Sequence, residues 1–133
     1  MKAEIGLNIS FLIEEGFMPV GSWRTADCRP HRDAAWVRHQ PGLYAFVVGS
    51  AVMYIGLSET LHRRLRRYGN RAFRNKNVPQ RGPHINIALS VAGNIEVPIF
   101  AKVIPGATEA LLLPLETALI KALQPGWNDT HKI

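Results

Sequence analysis

The sequence predicts an α/β domain built on a small, mostly antiparallel three-stranded sheet flanked by helices. Three observations carry this. Leu43 to Val48 and Val52 to Leu57 are runs of β-forming residues with Gly49-Ser50 between them, the pattern of a hairpin. Ile95 to Ile104 is a third such run. Glu59 to Gly69 and Thr108 to Leu123 place apolar residues at helical spacing instead. The length of 133 residues suits one core, and 47% apolar with 20% charged residues describes a globular rather than a disordered chain.

In chain order, Asn8 or Ser10 is expected to cap a short helix through Glu15, which Gly16 ends. Phe17 to Gln40, with Trp23, Trp36, Pro19 and Pro30, reads as an irregular arm. Residues 1–40 are therefore expected to pack as helix and arm on a main domain of residues 41–133, which begins at the Pro41-Gly42 break. After the hairpin, Thr60 lies near the start of the first core helix and Gly69 at its end. Arg71 to Pro83 is polar, basic and loop-like, and His84 to Ala92 forms a short helix stopped by Gly93. Pro98 suggests that the third strand is an edge or carries a bulge. Thr108 caps the last helix, Pro114 should kink it, and Pro125-Gly126-Trp127-Asn128 closes the domain.

No apolar run is long enough to span a membrane, and Met1 to Ser10 lacks the apolar segment of a secretory signal. Cys28 is the only cysteine, which excludes a disulfide framework or a cysteine-rich zinc site and makes a reducing, cytoplasmic compartment the simplest reading. Net charge is +6, and half of the 16 Lys and Arg residues fall between Arg63 and Arg81. No acidic residue stands between Glu59 and Glu96. A positive field of this kind attracts a polyanion, although a solvated arginine-rich helix face has the same composition.

Helical geometry singles out two charges. With Leu112 at zero, Leu123, Leu119, Ile120 and Leu115 fall at about 20°, 340°, 80° and 300°, and Glu116 lies among them at about 40°. A carboxylate on an apolar stripe needs a positive partner, either a metal ion or an arginine. With Leu61 at zero, Leu65 and Tyr68 form the core stripe and Arg64 borders it at about 300°, whereas Arg63 and Arg66 point away at about 200° and 140°. Arg64 thus sits where a guanidinium can hold a phosphate in a fixed position, and Arg63, Arg66 and Arg67 face solvent or a nucleic-acid backbone.

Gly42-Leu43-Tyr44 followed by Tyr54-Ile55-Gly56 resembles the paired motifs of the GIY-YIG nuclease superfamily. Arg64 within Leu61-His62-Arg63-Arg64-Leu65, Glu116 followed by Leu119-Ile120-Lys121, and Pro125-Gly126-Trp127-Asn128 match further elements of that family in order. Tyr68, one turn after Arg64, resembles the nuclease domain of the nucleotide-excision-repair endonuclease, where Leu57 is instead a lysine. The resemblance covers about Gly42 to Asn128 and implies a divalent-metal-dependent endonuclease that hydrolyses DNA, leaving 5′-phosphate and 3′-hydroxyl ends. It implies catalytic roles for Tyr44, Tyr54, Arg64, Tyr68, Glu116 and Asn128. Glu116 would be the ligand of a single Mg²⁺ or Mn²⁺, Arg64 would bind the scissile phosphate, and Tyr44 would act as general base with Arg64 and the metal favouring its phenolate. Arg63, Arg66, Arg67, Arg71, Arg74, Lys76 and Arg81 are the expected nucleic-acid contacts. The rival reading is a nucleic-acid-binding or accessory protein that does not cut, with RNA the weaker alternative to DNA. The few elements available for recognition suggest selection by substrate shape or by a targeting protein partner.

This chemistry places a demand on register, because Tyr44 and Tyr54 must emerge on one sheet face. A two-residue turn at Gly49-Ser50 would split them, whereas an odd loop, Gly49 to Ala51, pairs Phe46 with Tyr54. The odd loop is therefore expected. The five histidines form no metal-ligating set and most are expected in ordinary surface roles; His31 or His39 could touch the substrate, although nothing in their spacing argues for it.

Overall fold

The computed structural model describes residues 2–24, 30–32, 39–73 and 82–129. Its elements are α1 (Lys2–Glu14), β1 (Met18–Trp23), β2 (Pro30–Arg32), β3 (Gly42–Val48), β4 (Ala51–Ser58), α2 (Leu61–Phe73), α3 (Pro83–Ala92), β5 (Val97–Val103) and α4 (Glu109–Leu123). The strands make one antiparallel sheet in the order β2-β1-β5-β3-β4. The α/β class and the three expected strands are present, but among the described residues the sheet has five strands rather than three. The other two come from the stretch read as an irregular arm. Pro19, Gly21 and Pro30 hide them in the sequence, and long-range pairing of β1 with β5 supplies what local propensity lacks.

Strand β3 is buried on both faces, so its side chains divide the core. Leu43, Ala45 and Val47 join Leu12, Ile55, Phe100, Leu112, Leu119 and Ile120 under α1 and α4. Tyr44 and Phe46 join Trp23, Leu61, Leu65, Tyr68, Ile87 and Val91 under α2 and α3. Two further expectations need correction. Helix α1 starts at Lys2, with Asn8 and Ser10 inside it rather than at its cap. It ends at Gly16 as expected, whose φ of 94° allows Gly16 N to donate to Ile13 O at 3.0 Å and Phe17 N to Leu12 O at 2.9 Å, a Schellman closure with Leu12 and Phe17 both buried. Pro98 lies on an interior strand, but pairing of β5 with β3 stops at Ile99, so Pro98 faces only Ser22 of β1. Thr108 caps α4 as expected by accepting from Leu111 N, and the helix runs on through Pro114.

The hairpin solves the register problem differently from the expected odd loop. Val48 pairs with Ala51, leaving the two-residue turn Gly49-Ser50 with Gly49 at φ 62°. The register then shifts, so that Val47 pairs with Val52 but Phe46 pairs with Tyr54. Met53 is the extra residue of a β-bulge. It reverses the alternation of β4: Val52 packs in the α1/α4 core and Tyr54, two residues on, against the α2/α3 core. The tyrosines thus share a face, as the chemistry requires.

β4 is an edge strand, and the C-terminal segment covers it. Trp127 N donates to the carbonyl of the bulged Met53 at 2.7 Å. The buried Asn128 side chain pairs with Ile55 in both directions, its Oδ1 accepting from Ile55 N and its Nδ2 donating to Ile55 O, each at 2.9 Å. A side-chain amide thus stands in for a sixth strand at one position. No helix of the described residues is long and apolar enough to cross a membrane. Because Asn128→Ala leaves a buried N–H and C=O of β4 unpaired, it should lower unfolding free energy by about 1–3 kcal/mol in urea denaturation, with hydrogen exchange at Ile55 accelerated.

Candidate active site

The register brings together all three tyrosines of the chain. Tyr44 on β3 and Tyr54 on β4 lie diagonally, ring centroids 6.2 Å apart, and Tyr68 of α2 closes over them at 5.8 Å from Tyr44 and 6.2 Å from Tyr54. The Tyr44 and Tyr68 hydroxyls are hydrogen-bonded at 2.7 Å, and Tyr68 Oη approaches Tyr54 Oη at 3.5 Å, the outer limit of a hydrogen bond. Gly56, the residue paired with Tyr44 across the sheet, makes room for this. A Cβ there would overlap the end of the Tyr44 ring, so the phenol lies across the bare backbone of β4.

Helix α2 presents Leu61, Leu65 and Tyr68 to the core and leaves Arg63, Arg66 and Arg67 exposed. Arg64 is partly buried between the two faces, as its angular position predicted, and its guanidinium lies close enough to Tyr44 and Tyr68 to interact with their side chains. Burial works against the guanidinium charge, but Tyr44 and Tyr68 outweigh it, and the group is held above the ordinary arginine value. From the other side of the sheet, α4 buries Leu112, Leu119 and Ile120, and Glu116 emerges among them only partly buried. Leu115, expected in the same stripe, is 44% exposed, so the buried stripe is narrower than predicted. The Glu116 charge lies close enough to act on Tyr54.

The expected phenolate is not favoured. Tyr44 is fully buried, and desolvation, reinforced by Tyr54, holds its phenol well above the usual range, overriding the pull of Tyr68 and Arg64 toward ionisation. Tyr54 is raised by burial, then by Tyr68 and by Glu116, and Tyr68 by burial and Tyr44. Arg64 therefore faces neutral hydroxyls. It opens on a depression of about 210 Å³ lined by Ser58, Glu59, Thr60, Arg63, Arg64, Arg67 and Glu109. Of the expected catalytic residues only Arg64 lines this depression, which also carries two carboxylates, and Glu59 Oε2 accepts from Glu109 N at 2.6 Å, tying the start of α4 to the turn before α2. Sequence reasoning missed Glu59, because its partner is 50 residues away.

Of the expected nucleic-acid contacts, Arg63 and Arg67 line this depression and Arg66 is exposed beside it. Arg71 belongs to α2, and Arg74, Lys76 and Arg81 lie outside the described residues. No group of three His, Cys, Asp or Glu side chains among the described residues is placed to hold a metal. A single carboxylate suits Mg²⁺ or Mn²⁺, ions that keep several waters and need few protein ligands, and Glu116 offers that carboxylate beside Tyr54.

With every tyrosine in one buried cluster, ultraviolet titration reads the site directly. A phenol raised in the folded state contributes stability that is complete below its unfolded value, near 10, and is lost as pH rises. The folded protein should show almost no tyrosinate absorbance at pH 10, the urea-unfolded chain should be about half ionised there, and stability should fall above about pH 9.5.

No family model and no curated relative matches the sequence. Among solved structures, a glutamate-to-alanine mutant of bacteriophage T4 EndoII superposes with a TM-score of 0.70 at 17% identity, covering 91% of this chain and 98% of that one. The GIY-YIG N-terminal endonuclease domain of UvrC from Thermotoga maritima, as a tyrosine-to-phenylalanine mutant bound to its catalytic divalent cation, gives 26% identity and a TM-score of 0.46 over 68% of this chain and 84% of that one. The magnesium-bound form of that domain gives 24% and 0.44 over 68% and 85%. The T4 EndoII superposition spans nearly the whole of both chains and rests on backbone shape, so this chain has the fold of T4 EndoII.

Proposed function

We propose that the protein is a divalent-metal-dependent endonuclease that hydrolyses DNA phosphodiester bonds. The reading is supported best by the cluster of Tyr44, Tyr54 and Tyr68 with the half-buried Arg64 beside it, and by the influence of the Glu116 charge on Tyr54 from a helix on the opposite face of the sheet. A half-buried arginine beside a cluster of phenols with raised pKa values is the kind of group that handles charge in a ligand.

Arg64 would bind the scissile phosphate. Its half-buried guanidinium lies beside Tyr44 and Tyr68 and would stabilise charge that develops on the phosphoryl oxygens. Tyr44 is too deeply buried to meet water, and its role moves from general base to holding Tyr68 and Arg64 in place. Tyr54 is less buried and feels the Glu116 charge, and its neutral hydroxyl would accept a hydrogen bond from the attacking water and turn a lone pair toward phosphorus. Asn128 holds β4 and with it Tyr54. Glu116 would hold a single Mg²⁺ or Mn²⁺, which when bound polarises the phosphoryl oxygen and steadies the leaving oxygen. Breakage of the P–O3′ bond would leave 5′-phosphate and 3′-hydroxyl ends. Substrate choice would rest on shape or on a targeting protein.

The test is nicking of supercoiled plasmid with Mg²⁺ or Mn²⁺ in the buffer. Arg64→Ala should reduce the rate by roughly 100- to 1,000-fold, the cost of removing one oriented donor from a developing oxyanion. Glu116→Ala should abolish metal-dependent nicking, and EDTA should abolish it in the wild type. Binding without nicking, unchanged by Glu116→Ala, would overturn the enzyme and leave a nucleic-acid-binding protein. RNA hairpins offered beside the plasmid decide between the two substrates.

A further inference from the structure

A second cavity, of about 450 Å³, opens beside the depression that Arg64 lines, and His39, Thr60, His62, Arg63 and Arg66 form its wall. Thr60 and Arg63 line both, so the two cavities are neighbours with one arginine between them. Their chemistry differs. The first has the carboxylates of Glu59 and Glu109 beside its arginines, and the lining of the second contains none. Its wall offers guanidinium N–H groups, two imidazoles and a hydroxyl, which are donors suited to phosphate oxygens.

The wall is also built rather than loose. Gln40 O accepts from Leu61 N at 2.9 Å and Pro41 O from Ile104 N at 2.9 Å, which fixes the residues after His39 to the start of α2 and the end of β5. His39 itself is held at φ 61°, a left-handed conformation that few side chains adopt and that histidine tolerates better than most. A non-glycine residue kept there, beside a cationic cavity, is the kind of strained position found at ligand sites. Neither histidine has a part in the cleavage chemistry above.

We propose that this cavity is a second phosphate subsite, which takes an internucleotide phosphate of the strand whose scissile phosphate lies at Arg64, with Arg63 between the two. The proposal rests on the nucleic-acid reading of the first depression. It assigns His39 and His62 to substrate binding rather than to the ordinary surface, and it gives the strand a direction across α2, from the cleft at Arg64 toward His39.

The experiment uses the full chain labelled with ¹⁵N-histidine, without metal, so that cleavage plays no part. Inorganic phosphate should move the imidazole resonances of His39 and His62 together. Arg66→Ala, at an exposed position, should remove the movement without altering the circular dichroism spectrum, and His39→Asn, which keeps the left-handed backbone, should weaken it. For a short DNA duplex, the plot of log affinity against log salt should be shallower by about one unit in Arg66→Ala and unchanged in Lys121→Ala on α4. Imidazoles that ignore phosphate overturn the subsite. Imidazoles that respond while the salt slope stays at the wild-type value overturn its assignment to the nucleic-acid backbone. A response to phosphate with no binding of DNA overturns the proposed function and this assignment together, whereas DNA binding with silent imidazoles leaves the proposed function standing.

Discussion

One inserted residue, Met53, decides which face of the sheet receives Tyr54. Gly49 and Ser50 form a tight two-residue turn, and in an unbroken ladder that turn would set Ala45 opposite Tyr54 and send the two phenols to opposite cores. The bulge restores the pairing of Phe46 with Tyr54. Trp127, bonded to the Met53 carbonyl, and Asn128, bonded to Ile55, fix the distorted strand where an edge would otherwise slip. The last residues of the domain thus control its second tyrosine from outside the sheet.

Tyr44 couples to this arrangement through Gly56. The phenol crosses the sheet over a residue without a side chain, which lets it reach Tyr68 and Arg64 while remaining fully buried. Burial sets the electrostatics. Each phenol is pushed toward its neutral form, and the arginine beside them keeps its charge. The cluster therefore orients a cation without neutralising it. A phenolate partner would have consumed that charge, whereas neutral hydroxyls leave it for a ligand.

The two helices that carry the charged residues lie on opposite faces of the sheet, and β4 is where they come together. Glu59 links them directly, with its carboxylate on the first turn of α4 and its backbone just ahead of α2. An acidic group at a helix N-terminus is favourable in its own right, and here it also limits how far Glu116 and Arg64 can separate. The arginine side of α2 continues past this link to a cavity that His62 and His39 also line, so the surface is mixed in charge near Glu59 and lacks carboxylates around Arg66.

Strands β3, β4 and β5, the helices α2, α3 and α4, and the shared face of Tyr44 and Tyr54 were legible in the sequence. Alternation and turn chemistry mark the hairpin, and helical angles separate Arg64 from Arg63 and Arg66. The sequence by itself also determined that Glu116 needs an explanation, because a carboxylate on an apolar stripe is costly whatever surrounds it. Only the tertiary structure decided the rest. β1 lacks a local strand pattern and exists because β5 offers it hydrogen bonds, and α1 begins well before the polar residues that can cap it. The ionisation of the phenols depends on how much water is excluded, and Glu59 depends on a partner 50 residues away. Patterns of period two and 3.6 are local and survive in a one-dimensional string, whereas desolvation, register shifts and distant hydrogen bonds are properties of the assembled chain.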